Sequence, residues 1–258
     1  MSKFTFKKKY GQNFLKSEQI SNLIVDSIKP TNKDLIIEIG PGSGMLTKKL
    51  KRYNTKLVAY EIDTELSKFL SNIEDSNTKV IYEDFLSADI KKVIDEYNYE
   101  KIYVIGNLPY YITTPIIEKI IDSGLDPESI TIMVQKEVGE RFLAKPCSKD
   151  YGYMTVLLNY WYKIDKITNV PRNNFYPEPN VDSMVIKLSK KERININYQK
   201  FNTILKDSFQ FKRKTINNNL KKYNRQIVEN ILAKHNYSLN SRAEELSIET
   251  FIDLTNNL

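Results

Sequence analysis

The chain has 258 residues, of which 41% are hydrophobic and 28% charged, with a net charge of +7, and this is the composition of a globular protein with a substantial core. It excludes collagen-like and disordered proteins. No apolar run approaches the roughly 20 residues that cross a bilayer. The charged N-terminal residues are not followed by the apolar segment of a signal peptide. We therefore expect a cytoplasmic protein without a membrane partner.

Between residues 17 and 186 the chain alternates short β-rich runs with helical patterns, which is typical of a parallel sheet covered by helices. For the last helix before residue 188, Thr114 is expected to be the cap and Pro115 the first helical residue. The sequence predicts an α/β domain at 17–188 and a small basic helical domain at 189–258, preceded by a basic arm at 1–16. Strands are predicted at 35–39, 56–60, 79–82, 102–105, 130–135 and 184–188, and helices at 45–51, 65–73, 114–121, 198–209, 226–234 and 247–254.

The positive charge is concentrated at the two ends of the chain. Residues 1–186 hold 25 basic and 25 acidic residues, whereas residues 187–258 hold 14 basic and 7 acidic ones. Residues 1–16 hold five lysines and no acid. Clustered cations favour the binding of a polyanion such as nucleic acid. The alternative is that the lysines form a solvated surface with no binding role.

The chain has one cysteine, Cys147, and one histidine, His235. These numbers exclude an internal disulfide, a cysteine-based zinc cluster and a multi-histidine metal site. Neither residue is assigned a catalytic task, and we expect no metal.

A glycine-rich turn follows the first predicted strand and contains Gly40, Gly42 and Gly44. Glycines at this position let the backbone approach a nucleotide closely, although a tight turn without a ligand would also use them. Glu61 ends the next strand, where a carboxylate can accept hydrogen bonds from both ribose hydroxyls. Asp84 follows the third strand and either faces the same crevice or serves as a turn residue.

The fourth strand leads into Asn107, a Leu-Pro pair and Tyr110. Asn107 offers an amide oxygen, and the proline fixes the backbone so that a neighbouring carbonyl can point into the crevice beside the ring of Tyr110. Two acceptors and a stacking face suit an exocyclic aromatic amine, because holding its two N–H groups favours the pyramidal form whose lone pair can attack. No general base is then needed. A surface Asn-Pro turn is the alternative.

Six motifs in order resemble the KsgA/RsmA family of ribosomal RNA small-subunit adenine N6,N6-dimethyltransferases, which belongs to a class that also holds the Erm methyltransferases and mitochondrial transcription factor B. The resemblance covers nearly the whole chain. It implies a class I, Rossmann-like methyltransferase sheet with S-adenosylmethionine as the cofactor. The implied reaction is dimethylation of two adjacent adenosines in the 3′-terminal hairpin loop of small-subunit ribosomal RNA, free or in a partly assembled subunit, by a monomer with a role in subunit biogenesis. The motifs are GQNFL (11–15), EIGPG (38–42), NLPY (107–110), QKEVGER (135–141), FYPEPNVDS (175–183) and RAEEL (242–246).

The resemblance also implies the site residues. Asn107 would bind the target amine, with Tyr110 stacking on one face of the flipped adenine and Phe175 on the other. Burial of Phe175 as a core residue beneath its loop is the alternative. The implied cofactor-binding residues are Asn13, Leu15, Gly40, Glu61, Asp84 and Asn107, with Gln12 beside them. The resemblance also implies a set of cations that face ribosomal RNA phosphates. A solvated helix face is the alternative for them. They are Lys212, Arg213, Lys214, Lys221, Lys222 and Arg225.

Two other functions stay open. One is an Erm-like methyltransferase for large-subunit RNA, which the NLPY motif and the RAEEL ending disfavour. The other is a non-catalytic transcription or ribosome assembly factor, which the intact cofactor residues disfavour. Tyr111 departs from the family pattern, since many relatives have Asn after NLPY.

Overall fold

The computed structural model describes residues 11–258, so that most of the predicted arm at 1–16 lies outside the described residues. The described chain forms two compact units. One unit contains the part of Met1–Gly139 from residue 11 onward together with Asp165–Lys190, and the other contains Glu140–Ile164 and Lys191–Leu258. No helix in residues 11–258 is long and apolar enough to span a membrane.

The first unit is organised by a seven-stranded sheet with the strand order β4-β3-β2-β5-β6-β9-β7. Strands β4, β3, β2, β5 and β6 run parallel, and β9 pairs antiparallel with β6. A separate two-stranded ribbon joins β1 to β8. The strands are β1 (Phe14–Leu15), β2 (Leu35–Ile39), β3 (Lys56–Tyr60), β4 (Thr78–Ile81), β5 (Ile102–Asn107), β6 (Ser129–Gln135), β7 (Tyr162–Val170), β8 (Phe175–Tyr176) and β9 (Ser183–Lys190).

The helices connect these strands and continue beyond the sheet. Since β3 and β5 lie on opposite sides of β2, the chain reverses its direction of winding there, and ligands of open α/β sheets bind at such a switch point. The predicted α/β class is confirmed. The helices are α1 (Glu18–Asp26), α2 (Met45–Leu50), α3 (Ser67–Leu70), α4 (Ile90–Ile94), α5 (Thr113–Asp122), α6 (Lys136–Phe142), α7 (Tyr153–Trp161), α8 (Tyr198–Phe209), α9 (Ile216–Asn219), α10 (Arg225–Lys234) and α11 (Ile248–Asn257).

The central strands are buried along their whole length. All five residues of β2 are buried, and Ile36 and Ile37 have no exposed surface. Val104 and Ile105 of β5 are equally buried. A continuous apolar run of this kind is expected for a parallel strand covered on both faces. Burial therefore holds the carboxyl ends of β2, β3 and β5 in a fixed arrangement.

Two predictions about elements are wrong. The helix predicted at 65–73 is only a 3₁₀ turn at Thr64–Leu66 followed by α3, which ends at Leu70. The prediction of Thr114 as a cap also fails, because α5 begins at Thr113 after Ile112, and no side chain caps it. The domain bounds stay a prediction, and the two compact units divide the chain differently, with Glu140–Ile164 in the second unit.

The second unit is a cluster of helices around aromatic side chains. Phe201 and Phe251 are fully buried. The ring of Phe209 is half-buried and lies 5.7 Å from that of Phe251 and 6.4 Å from that of Tyr151. The Tyr151 hydroxyl donates a hydrogen bond to the Leu246 carbonyl at 3.0 Å. Helix α7 packs on α8 and α11 in this core, which explains why residues 140–164 belong here.

Polar side chains cap the three longest helices of the second unit. Asn197 accepts a hydrogen bond from the backbone of α8, Asn224 from that of α10 and Ser247 from that of α11. Such caps stabilise a helix by about 1 kcal/mol each. They also explain why the start of each of these helices agrees with its predicted start to within one residue.

Candidate active site

A cavity lies at the carboxyl ends of the parallel strands, at the switch point of the sheet. Its walls are the segment 11–15, the glycine turn after β2, the residues after β3 and β4, and the segment 107–112 after β5. The structure thus brings together seven of the eight predicted catalytic and cofactor-binding residues. These are Asn13, Leu15, Gly40, Glu61, Asp84, Asn107 and Tyr110.

The glycine turn has a left-handed backbone at three positions, with φ of 71° at Gly40, 60° at Gly42 and 82° at Gly44. A Cβ atom on Gly42 would come within 2.9 Å of the ring of Phe14, so that glycine lets the segment 11–15 pack on the turn. The nearest atom to a Cβ on Gly40 is the Asn107 carbonyl oxygen at 3.7 Å. A Cβ there would make only ordinary van der Waals contact, so the left-handed backbone is what favours glycine at this lining position of the cavity.

Glu61 follows β3 and ties the glycine turn to the next loop. One carboxylate oxygen accepts a hydrogen bond from Gly42 N at 3.1 Å, and the other accepts one from Asp63 N at 2.9 Å. The side chain is 5% exposed. Burial raises the pKa of Glu61, while the two backbone N–H groups oppose the shift. The carboxylate is therefore held in one orientation at the cavity wall.

The segment 11–15 is fastened to the sheet by two amide side chains. Gln12 Nε2 donates a hydrogen bond to Asp63 Oδ2 at 2.7 Å. Asn107 Nδ2 donates one to the Asn13 carbonyl at 3.0 Å, and Asn13 Nδ2 donates one to the Gly11 carbonyl at 3.1 Å. These bonds place Asn13 and Leu15 at the cavity, where the sequence predicts cofactor contacts.

Two acceptors lie at the end of β5, in residues that line the cavity. Asn107 uses its amide nitrogen on the Asn13 carbonyl, and within residues 11–258 its amide oxygen takes part in no hydrogen bond. The same holds for the Leu108 carbonyl oxygen among the described residues. Pro109 follows with φ −57° and ψ 128°, and its carbonyl is already used by Ile112 N at 3.2 Å.

The ring of Tyr110 is half-buried and fixed at its far end. Its hydroxyl and the Ser183 hydroxyl are 2.6 Å apart. Burial raises the pKa of the Tyr110 phenol, so it is neutral at physiological pH. A ring held at both ends can present one face to the cavity with little loss of conformational entropy.

Phe175 does not line the cavity in this structure, and its stacking on a base stays a prediction. Its ring is 1% exposed and packs in the core with Leu15, its partner across the β1–β8 ribbon. Side chains alternate along a strand, so it is the next residue, Tyr176, that points outward, with 60% of its surface exposed. This is the burial expected if Phe175 is a core residue beneath its loop.

Asp84 borders the cavity and is also a turn residue. One of its carboxylate oxygens accepts a hydrogen bond from Leu86 N at 3.0 Å. Its backbone carbonyl accepts from Ser87 N and Ala88 N, both at 3.0 Å. Both interpretations from the sequence therefore describe Asp84, because the turn fixes its carboxylate at the edge of the cavity.

Glu38 is a cavity residue to which the sequence assigned no role. It lies in β2 just before the glycine turn and is 1% exposed. Within the described chain, neither carboxylate oxygen forms a hydrogen bond of normal geometry. Burial raises the pKa of Glu38 to about 8, with Thr47 opposing the shift. The only signal in the sequence is an acid inside an otherwise apolar strand.

The predicted RNA-binding cations lie in the second unit, and all six are exposed. Two of them are engaged with other groups. Lys212 Nζ donates a hydrogen bond to the Lys149 carbonyl at 2.9 Å. Lys222 Nζ is 2.9 Å from a carboxylate oxygen of Asp207 and lies 5.3 Å from the ring centre of Tyr223. The other four are Arg213, Lys214, Lys221 and Arg225, for which no such contact occurs within residues 11–258.

The described residues contain no group of three or more His, Cys, Asp or Glu side chains that could hold a metal ion. The site instead consists of a glycine turn, a fixed carboxylate after β3 and open acceptors after β5. Together with the strand order, these features define the class I, Rossmann-like methyltransferase fold.

Comparison with known proteins defines the family. A family model described as "Ribosomal RNA adenine dimethylase" matches residues 3–258. A "Ribosomal RNA small subunit methyltransferase A" from Aster yellows witches'-broom phytoplasma is 43% identical and covers 97% of this chain and 95% of the relative. A protein of the same name from Anoxybacillus flavithermus is 41% identical, covering 99% and 91%. The chain belongs to the ribosomal RNA adenine dimethylase family, which confirms the resemblance drawn from the six motifs.

Solved structures agree on the fold. A dimethyladenosine transferase from Plasmodium falciparum superposes with a TM-score of 0.76 at 25% identity, covering 93% of this chain and 95% of the other. The 23S rRNA methyltransferase ErmE superposes with a TM-score of 0.71 at 24% identity, covering 95% and 99%. The likeness to ErmE shows the fold alone.

Proposed function

We propose that this chain transfers methyl groups from S-adenosylmethionine to N6 of two adjacent adenosines in the 3′-terminal hairpin loop of small-subunit ribosomal RNA. The observation that carries the proposal is the pair of open acceptors, Asn107 Oδ1 and the Leu108 carbonyl, beside the fixed ring of Tyr110. Family membership and relatives named small-subunit methyltransferases support the choice of RNA.

The residues of the cavity suit the proposed cofactor. Gly40 lines the cavity without a side chain, and Glu61 offers a carboxylate for ribose hydroxyls. Asp84 would lie near the adenine, while Asn13 and Leu15 would contact the cofactor from the segment 11–15. S-adenosylmethionine, when bound, supplies an electrophilic methyl group on a positively charged sulfur.

The two acceptors act on the target amine. An adenine amino nitrogen is a weak nucleophile because its lone pair is delocalised into the ring. Asn107 Oδ1 and the Leu108 carbonyl would each accept one of its N–H groups, which favours a pyramidal nitrogen with a localised lone pair. As the N6–methyl bond forms and the sulfur–methyl bond breaks, the nitrogen becomes cationic and one proton leaves to water. No residue with a perturbed pKa is required as a base.

Tyr110 would stack on the extruded adenine and offset part of the cost of unstacking it, which is a few kcal/mol. With Phe175 buried in the core, the arrangement described here provides one aromatic face in place of two. In the second unit, Arg213, Lys214, Lys221 and Arg225 would contact RNA phosphates, and neutralising those phosphates would release the counterions condensed on the RNA.

The Erm-like alternative is not favoured. Relatives at about 40% identity over nearly the full chain carry small-subunit names, whereas the likeness to ErmE, at 24% identity, concerns the fold. A purely non-catalytic role is disfavoured by the open acceptors, which a binding module would not need. An assembly role can coexist with methylation.

The test is methyl incorporation from labelled S-adenosylmethionine into unmethylated small ribosomal subunits, with large subunits as the control. The proposal expects label in small subunits. Label confined to large subunits would support the Erm-like alternative. No label in either, despite cofactor binding, would refute the catalytic proposal.

A further inference from the structure

Two tyrosines follow each other at the mouth of the cavity. Tyr110 and Tyr111 belong to one short 3₁₀ turn, Tyr110–Ile112, directly after the acceptors at the end of β5. Successive residues of a 3₁₀ helix are about 120° apart around its axis. The two rings therefore point in different directions from one rigid turn, and both border the cavity.

The two rings differ in exposure. Tyr110 is half-buried, with its hydroxyl 2.6 Å from that of Ser183. Tyr111 is 59% exposed, which makes it one of the two most exposed aromatic side chains in the described part of the chain. An exposed aromatic ring has a hydration cost that burial against a flat apolar partner would remove.

Gly11 lies beside one edge of the Tyr111 ring. A Cβ atom on Gly11 would lie 3.3 Å from Tyr111 Cε1 and 3.5 Å from Cδ1, and it would lie 3.7 Å from Pro109 Cβ. Gly11 itself has a left-handed φ of 59°, so a side chain there would be strained and would press on the ring. Glycine at position 11 therefore leaves room for this edge of the ring of Tyr111, which borders the cavity and is 59% exposed.

We propose that Tyr111 stacks on the nucleobase next to the target adenine, while Tyr110 stacks on the target itself. This inference rests on the proposed function, because it requires an unpaired RNA strand entering the cavity. The substrate class that fits is a single-stranded loop with two adjacent purines, since every base has a π-face and purines have the larger one. Tyr111 is thus a substrate-binding residue that sets which adenine lies at the acceptors.

The experiment uses the full chain with S-adenosylhomocysteine and a small-subunit 3′-terminal hairpin RNA in which 2-aminopurine replaces one of the two adjacent adenosines. Binding is followed by the fluorescence of the probe, which stacking quenches. The variants are Tyr111→Ala, which removes the ring, and Tyr111→Phe, which keeps it. The matched control is Phe69→Ala, because Phe69 is 41% exposed but does not border the cavity.

With the probe at the neighbouring position, wild type and Tyr111→Phe are expected to quench it equally. Tyr111→Ala is expected to lose that quenching and to bind the hairpin about 10-fold more weakly, with unchanged affinity for S-adenosylhomocysteine. Phe69→Ala should match wild type. Wild-type quenching and affinity in Tyr111→Ala would overturn the inference, and so would an equal loss of cofactor affinity. If the wild-type protein methylates small subunits, such a result removes only the role of Tyr111; if it neither methylates them nor binds the hairpin, the proposed function fails as well.

Discussion

Replacing Glu61 with alanine removes the carboxylate that joins the end of β3 to the glycine turn. In the structure its two oxygens accept hydrogen bonds at 3.1 Å and 2.9 Å from backbone N–H groups, in a site that is 5% exposed. The ribose hydroxyls of the cofactor would donate to the same carboxylate. Losing a buried, charge-assisted hydrogen bond costs about 1 to 3 kcal/mol. We therefore expect the Kd for S-adenosylmethionine to rise about 5-fold to 150-fold.

Isothermal titration calorimetry with S-adenosylmethionine measures this effect directly. Glu61→Gln keeps the size of the side chain and one acceptor oxygen, so its loss of affinity should be smaller. Glu96→Gln is a control, because Glu96 is exposed and pairs with Lys79 at 3.3 Å away from the cavity. Since Gly42 N and Asp63 N lose their acceptor in Glu61→Ala, circular dichroism must first show that the variant is folded. An unchanged Kd in folded Glu61→Ala would remove Glu61 from the ribose.

Three further changes test the remaining parts of the site. Asn107→Ala should reduce methyl transfer in a single-turnover assay far more than it reduces RNA binding, and equal losses would contradict a role at the amine. Replacing Lys212, Arg213 and Lys214 with alanine should lower the slope of log K against log salt for RNA binding by roughly one for each phosphate that the protein no longer neutralises; an unchanged slope would place the RNA elsewhere. Burial raises the pKa of Glu38 from 4.5 to about 8, so its contribution to stability is complete below pH 4.5 and is lost as pH rises to 8. The free energy of unfolding, measured with denaturant, should therefore fall less between pH 4.5 and 8 for Glu38→Gln than for wild type. An equal fall in both proteins would mean that Glu38 does not titrate in this range.

Six of the seven strands of the sheet were predicted closely, because each is recognisable from its own sequence, whereas β7 was not predicted. The runs at 35–39 and 56–60 are apolar apart from Glu38 and Lys56, and the structure has strands with the same bounds. Helix α7 could not be predicted in this way. It is apolar on nearly all sides, so it has no amphipathic period by which a helix can be recognised.

The cavity could be predicted in outline because parallel strands deliver their carboxyl ends to one edge. Details that depend on the pairing of strands far apart in the sequence could not be predicted. Phe175 is buried because β8 pairs with β1, more than 150 residues earlier in the chain, and that pairing decides which side chain of the strand faces inward. The open state of Asn107 Oδ1 likewise follows from the Asn13 carbonyl occupying its amide nitrogen.

The central claim is that the acceptors after β5 direct methyl transfer to the amino groups of two neighbouring adenines. The most direct measurement is mass spectrometric mapping of small-subunit ribosomal RNA after reaction with wild type and with Asn107→Ala. We predict N6,N6-dimethyladenosine at two adjacent positions of the 3′-terminal hairpin with wild type, and unmodified adenosines with Asn107→Ala. Methyl groups on other atoms or at other positions, or full dimethylation by Asn107→Ala, would contradict the account.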